Sequence, residues 1–270
     1  MSTAGNAELL DLAREVALTA GRLVRQRRAE GVEVAASKSS PEDIVTDADR
    51  ESEALIRSLL AKARPNDGFF GEESDADAGS SGLTWVVDPI DGTVNFLYGI
   101  PHYAVSIAVV EGEPDPSTWR ALAAAVVNPA IDEVFTATDG GGAFLGGQSI
   151  RVAPAVELSQ ALVGTGFSYS AEKRMEQAAI VARLIGRVRD IRRAGTASLD
   201  LCSVACGRLN AYYERGLKPW DHAAGALIAK EAGAAVTGLG SAAATAELLL
   251  SAEPSIAVEL ERALLESGLE

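Results

Sequence analysis

The sequence predicts an α/β protein whose first half is α+β and whose second half is layered α/β. Two observations carry this. Up to about residue 147, helices give way to a run of mostly consecutive strands; from Ser159 onward, strands and helices alternate. We place the boundary at Gly146-Gly147, which divides the chain into residues 1–147 and 148–270.

The first half opens on a helix, because Leu9, Leu10, Leu12, Ala13, Val16, Ala17, Ala20, Leu23 and Val24 recur at helical spacing. Arg22, Arg25, Arg27 and Arg28 gather at its C-terminal end, where cations suit the helix dipole and reach solvent. Thr46 to Leu60 reads as a second helix, with Thr46 and Asp49 at capping-box spacing. Ser74 to Gly82, rich in Asp, Ser and Gly, reads as a loop. Strands follow at Ala104–Val110 and Ala121–Val127, then a hairpin from Val134 to Leu145 that turns at Asp139-Gly-Gly-Gly142. In the second half, strands are expected at Leu162–Thr165, Asp190–Arg193, Ala211–Glu214 and Leu248–Ser251. Helices are expected at Glu172–Val188, Ser198–Arg208, Trp220–Ala232 and Ile256–Leu265. Residues 232–246 are alanine-rich, and no internal repeat is visible.

At 270 residues the chain can bury a substantial core. Its 24 basic and 38 acidic residues give a net charge of -14, which opposes nonspecific binding to nucleic acid or to anionic membranes. The two cysteines, Cys202 and Cys206, lie one helical turn apart and read as small core residues of a protein in a reducing compartment. Two histidines are too few for a His-rich zinc site. With no leader-like apolar segment and no long uncharged run, the expectation is a soluble cytoplasmic protein.

The run Trp85-Val-Val-Asp88-Pro-Ile-Asp91-Gly-Thr93-Val-Asn-Phe96 carries the chemistry. It drives an apolar strand into two aspartates, which a strand end does not need and a hard cation does, since Mg²⁺ takes oxygen ligands and substrate phosphate. The proline fixes a turn between the aspartates, and the glycine allows close backbone approach to a ligand. A bound cation would also reverse the local field of an acidic protein that has to attract phosphate. Three further patches fit with this run: Lys38 to Asp49, Gly71-Glu72-Glu73-Ser74, and Pro219-Trp220-Asp221-His-Ala-Ala-Gly225.

In this order the four patches resemble the signatures of the inositol monophosphatase family, and the resemblance covers nearly the whole chain. It implies a sugar-phosphatase-like αβαβα sandwich and a Mg²⁺-dependent phosphomonoesterase acting on inositol monophosphate. Glu72, Asp88 and the Ile90 carbonyl would hold one ion; Asp88, Asp91 and Asp221 would hold a second. A third, weaker ion would share Glu72. Two such ions, roughly 3.5–4 Å apart, clamp the attacking and leaving oxygens of an in-line displacement. Phosphate monoesters need that help, because their uncatalysed hydrolysis is among the slowest known. Thr93 and Asp49, with Glu72 nearby, would orient and deprotonate the attacking water, and the backbone N–H groups of Gly92 and Thr93 would face the phosphate. Gly195, Thr196, Ala197, Glu214, Asp91 and Asp221 would contact the substrate, a carboxylate being suited to accept from adjacent hydroxyls. Lys38 matches a position near the site mouth. The resemblance further implies a homodimer and inhibition by Li⁺, with no direct nucleic-acid partner.

Each acid has a plainer explanation on its own. Asp49 and Asp221 would cap helices, Asp88 and Asp91 would make a turn, Glu72 would be a solvated loop residue, and Trp220 would be a packing anchor. Together the five acids in one matched pattern read as a site. Relatives that hydrolyse histidinol phosphate, fructose bisphosphate or nucleotide bisphosphates remain alternatives, as does a regulatory binding protein that keeps the fold, because function resides in the site and not in the architecture. The chain departs from the family at Glu231-Ala-Gly233-Ala234, away from these residues.

Overall fold

The computed structural model describes residues 3–32, 34–37 and 44–269. In the first half the order is α1 (Thr3–Glu30), β1 (Val34–Ser37), β2 (Ile44–Thr46), α2 (Asp47–Ala63), β3 (Gly68–Gly71), β4 (Leu83–Asp91), α3 (Thr93–Tyr98), β5 (Ala104–Glu111), β6 (Arg120–Asn128), β7 (Glu133–Thr138), β8 (Gly142–Leu145) and β9 (Gln148–Ile150). The second half runs β10 (Leu162–Thr165), α4 (Ala171–Leu184), β11 (Asp190–Arg192), α5 (Ala197–Ala205), β12 (Ala211–Glu214), α6 (Pro219–Glu231), β13 (Ala235–Thr237), β14 (Leu249–Ala252) and α7 (Pro254–Glu266).

Two large sheets and three helical layers result, beside a small antiparallel pair of β1 and β2. Strands β3 to β9 form a seven-stranded sheet in sequence order, antiparallel except for the parallel β3–β4 pair. The other sheet has the order β11-β10-β12-β14-β13 and is mixed. Side chains alternate across the first sheet. Trp85, Val87, Val105, Ile107 and Val109 face α1 and α2, whereas Val86, Ala104, Ala108 and Val110 face α5 and α6. Helices α5 and α6 also pack on Tyr212 and Leu249 of the second sheet, whose far face is covered by α4 and α7. The layers therefore run helix, sheet, helix, sheet, helix. Burial on both faces explains why β5 reads as an apolar run broken only by Ser106 before Glu111, instead of an alternating one.

Packing, more than propensity, holds these helices. In α2, Ile56 and Leu60 are buried against the sheet, and each such side chain contributes roughly 1.5–3 kcal/mol. Cys202 is fully buried in the central helical layer and unpaired, as its spacing suggests. The arginine-rich end of α1 forms surface ion pairs, Arg25 with Asp132 and Arg27 with Glu30 and Glu51. No helix among the described residues is long and apolar enough to cross a membrane.

Several elements escape the sequence reading. Strand β3 is only four residues long and bracketed by glycines, β13 lies inside the alanine-rich stretch, and β9 carries the first sheet past Gly146-Gly147 to Ile150. The helix expected to reach Val188 leaves α geometry after Leu184 and closes in a tighter turn. The helix expected to reach Arg208 ends at Ala205.

Candidate active site

A cleft of about 450 Å³ lies where the two large sheets and the central helices meet. Its acidic floor starts at the end of β4. In a regular strand, residues three apart point to opposite faces. The register with β5, however, runs from Asp88↔Ser106 to Asp91↔Ala104, so β4 takes three steps where β5 takes two. This β-bulge returns Asp91 to the side already occupied by Asp88, and both side chains reach the cleft. The turn expected between the aspartates is thus a bulge inside a continuing strand. Pro89 suits it because it has no N–H to leave unpaired.

Beyond the bulge, Gly92 has a φ of 92°, and a side chain there would collide with the Thr196 hydroxyl. The chain then enters α3 at Thr93. The Thr93 hydroxyl lies 3.1 Å from Asp49 Oδ1 and 3.1 Å from the Ile90 carbonyl oxygen, either of which can accept its proton. Asp49 itself is buried on the first turn of α2, where Oδ2 accepts from the Thr46 backbone N–H at 2.8 Å and from the Thr46 hydroxyl at 2.5 Å. Capping and contact with Thr93 therefore coexist, one on each carboxylate oxygen.

The remaining acids arrive from elsewhere in the chain. Glu72 follows β3 and lines the cleft half-buried. Asp221 comes from the first turn of α6, where its carboxylate also accepts from the Lys218 backbone N–H at 2.6 Å. Asp91 accepts from the Ser198 backbone N–H at 2.7 Å and from its hydroxyl at 2.5 Å, which fastens β4 to the start of α5. Gly195, Thr196, Ala197 and Glu214 line the opposite wall, while Asn95 and Thr196 both donate to the His102 carbonyl to close the corner. Lys38 lies outside the described residues. Trp220 packs edge-on against Phe70 with ring centroids 5.2 Å apart and also borders the cleft.

Electrostatics mark this as a costly assembly. Burial, then the fields of Glu72, Asp91 and Asp221, push the Asp88 carboxyl well above the usual carboxylate range. Asp91 is pushed to about 7 by burial, and Glu72 adds to the effect against the two Ser198 hydrogen bonds. Asp221 rises strongly through burial and the fields of Glu72 and Asp91. Asp49 is raised to about 6, chiefly by burial. Carboxylates that oppose one another in this way carry a standing demand for positive charge. The donor set fits a hard divalent cation, because every candidate ligand is oxygen. The acids line the cleft without forming a finished cage: among the described residues, no group of three His, Cys, Asp or Glu side chains could hold a metal ion as it stands.

Two supporting residues were not legible in the sequence. By its sequence Ser198 marks only the expected start of a helix, yet it holds Asp91. Glu53, buried on α2, accepts from the Glu73 backbone N–H at 2.8 Å and from the Ser74 hydroxyl, so it anchors the loop that carries Glu72. Any side chain at Gly71 would strike the Glu53 carboxylate.

Comparison with known proteins identifies the family. The model of the inositol monophosphatase family matches residues 6–267. The inositol-1-monophosphatase SuhB of Mycobacterium tuberculosis is 46% identical over 277 aligned positions, covering 96% of this chain and 93% of its own. The Nus factor SuhB of Vibrio cholerae is 38% identical, covering 85% of this chain and 84% of its own. A crystal structure of the extragenic suppressor protein suhB from Bartonella henselae superposes with a TM-score of 0.87 at 35% identity, covering 95% of this chain and 98% of that one. The chain belongs to the inositol monophosphatase family.

Proposed function

We propose that the cleft hydrolyses phosphate monoesters, with inositol monophosphate as substrate, and that its carboxylates hold Mg²⁺. Glu72, Asp88 and the Ile90 carbonyl form one ligand group; Asp88, Asp91 and Asp221 form a second; Glu72 also serves a weaker third. Bound there, divalent cations supply Lewis acidity, neutralising phosphoryl charge and making water more acidic. Thr93 orients the attacking water and Asp49, beyond it, receives the proton. The backbone N–H groups of Gly92 and Thr93 face the phosphate. Across the cleft, Glu214, Asp221 and the backbone of residues 195–197 receive the hydroxyls of the leaving alcohol.

One observation carries this reading. Acids from the bulge of β4, the loop after β3 and the start of α6 line one cleft beside the Thr93–Asp49 contact. The test is Mg²⁺-dependent phosphate release, comparing kcat/KM for inositol 1-phosphate, histidinol phosphate, fructose bisphosphate and a nucleotide bisphosphate. We expect the inositol ester to be preferred by about tenfold or more, an edge of at least about 1.4 kcal/mol. A clear preference for histidinol phosphate would replace the inositol assignment.

The name of the Vibrio cholerae relative favours a second reading, a transcription-associated protein partner. A net charge of -14 disfavours direct RNA contact. Recovery of polymerase subunits in a pull-down, with no turnover of any phosphomonoester, would select it. A cytoplasmic homodimer inhibited by Li⁺ completes the proposal.

A further inference from the structure

Strand β12 delivers Tyr212 and Glu214 two residues apart, hence on the same strand face. Glu214 presents its carboxylate to the cleft, whereas Tyr212 is wholly buried. The Tyr212 hydroxyl donates to Glu214 Oε2 at 2.5 Å. Gly166 lies against the same carboxylate, and a Cβ there would collide with both of its oxygens. The carboxylate is thus tied by a phenol and occupies room that only a glycine leaves.

Its surroundings make that tie necessary. Asp200, buried in α5, faces the fields of Glu214 and Asp91, so three acids share one poorly solvated corner. Arg193, exposed at the rim, is the cation whose field reaches both Asp200 and Glu214. Without the phenol, repulsion from the buried acids and attraction to Arg193 would draw the Glu214 carboxylate outward. Tyr212 plays no part in the hydrolytic steps proposed above, and its bulk alone would be served equally well by phenylalanine.

We propose that Tyr212 is a positioning residue that favours polyol phosphates by holding Glu214 in one pose, with Gly166 leaving the space for it. This rests on the reading that Glu214 receives the hydroxyls of the leaving alcohol.

The test measures kcat and KM for inositol 1-phosphate and for phenyl phosphate, whose leaving group brings no further hydroxyls. In Tyr212→Phe we expect the ratio of the two kcat/KM values, inositol over phenyl, to fall about tenfold through KM, the scale of a lost hydrogen bond to a charged group. Gly166→Ala should give the same fall with Tyr212 intact, because the new methyl displaces only the end of a glutamate side chain; it carries the test if Tyr212→Phe melts early. Glu214→Gln supplies the reference. If that variant lowers the ratio while Tyr212→Phe and Gly166→Ala keep it, the positioning role is wrong and the polyol reading stands. If Glu214→Gln keeps the ratio too, the polyol reading fails and takes the proposal with it. Equal losses on both substrates in Tyr212→Phe would mark a packing role and overturn the proposal.

Discussion

The two walls of the cleft are built differently. On the first-sheet wall Asp49, Asp88, Asp91 and Thr93 are buried, and each accepts or donates a hydrogen bond that fixes its direction. On the second-sheet wall Glu214 is held by Tyr212, but the rim around the cleft carries Lys173, Arg193 and Lys218, all exposed to solvent. The lesson concerns tolerance. Displacing a buried acid among its like-charged neighbours leaves a charge uncompensated, whereas an exposed side chain can move at little energetic cost. Under the proposed function, the first wall suits an invariant reaction and the exposed rim of the second suits choosing among substrates.

The most severe way to break this contrast is Asp91→Asn. It keeps the shape of the side chain but removes the charge held by Ser198. Turnover at saturating Mg²⁺ should fall on the order of a thousandfold, through lost transition-state stabilisation. The circular dichroism spectrum should stay native. Activity within a few-fold of the parent would remove Asp91 from the metal site.

Glu53→Gln acts one step further back. It weakens the anchor of the Glu72 loop while leaving every proposed ligand in place. The Mg²⁺ concentration for half-maximal rate should rise about 10–100-fold, and excess Mg²⁺ should restore kcat. A loss of kcat that excess Mg²⁺ cannot repair would mean that Glu53 supports the fold instead of the loop.

The smallest effect is on stability. In the metal-free folded chain Asp91 titrates at about 7, against an ordinary value of 3.8. The unfolded chain loses this proton first, so the folded state binds more protons in between, and stability falls as pH rises from about 4 to about 7, then levels off. The metal-free Tm should therefore drop by a few degrees more across that window than in Asp91→Asn. Added Mg²⁺ should raise Tm more at pH 8 than at pH 5. Matching pH profiles for parent and variant would show that the acid cluster is relaxed without metal.

Much of this was legible from residue spacing. Helices α1, α2, α6 and α7 fall where helices are expected, and the resemblance gathered Glu72, Asp88, Asp91, Thr93 and Asp221, all of which line one cleft. The bulge was not legible, because Asp-Pro-Ile-Asp reads equally as a turn until its pairing with β5 is known. Glu53 sits at a mid-helix position where a glutamate is ordinarily a surface residue; only the fold shows that it is buried. Tyr212 lies in β12 and Gly166 directly follows β10, so their joint hold on Glu214 depends on the pairing of β10 with β12.

The central helical layer has a consequence for how the protein is made. Because α6 supplies Asp221 from between the two sheets, the proposed cation site lacks one of its carboxylates until that helix has been synthesised and packed. A chain still growing on the ribosome therefore lacks the complete proposed site until α6 has emerged. On that reading catalytic competence arrives together with the core, so this architecture ties the onset of activity to the packing of the central helices.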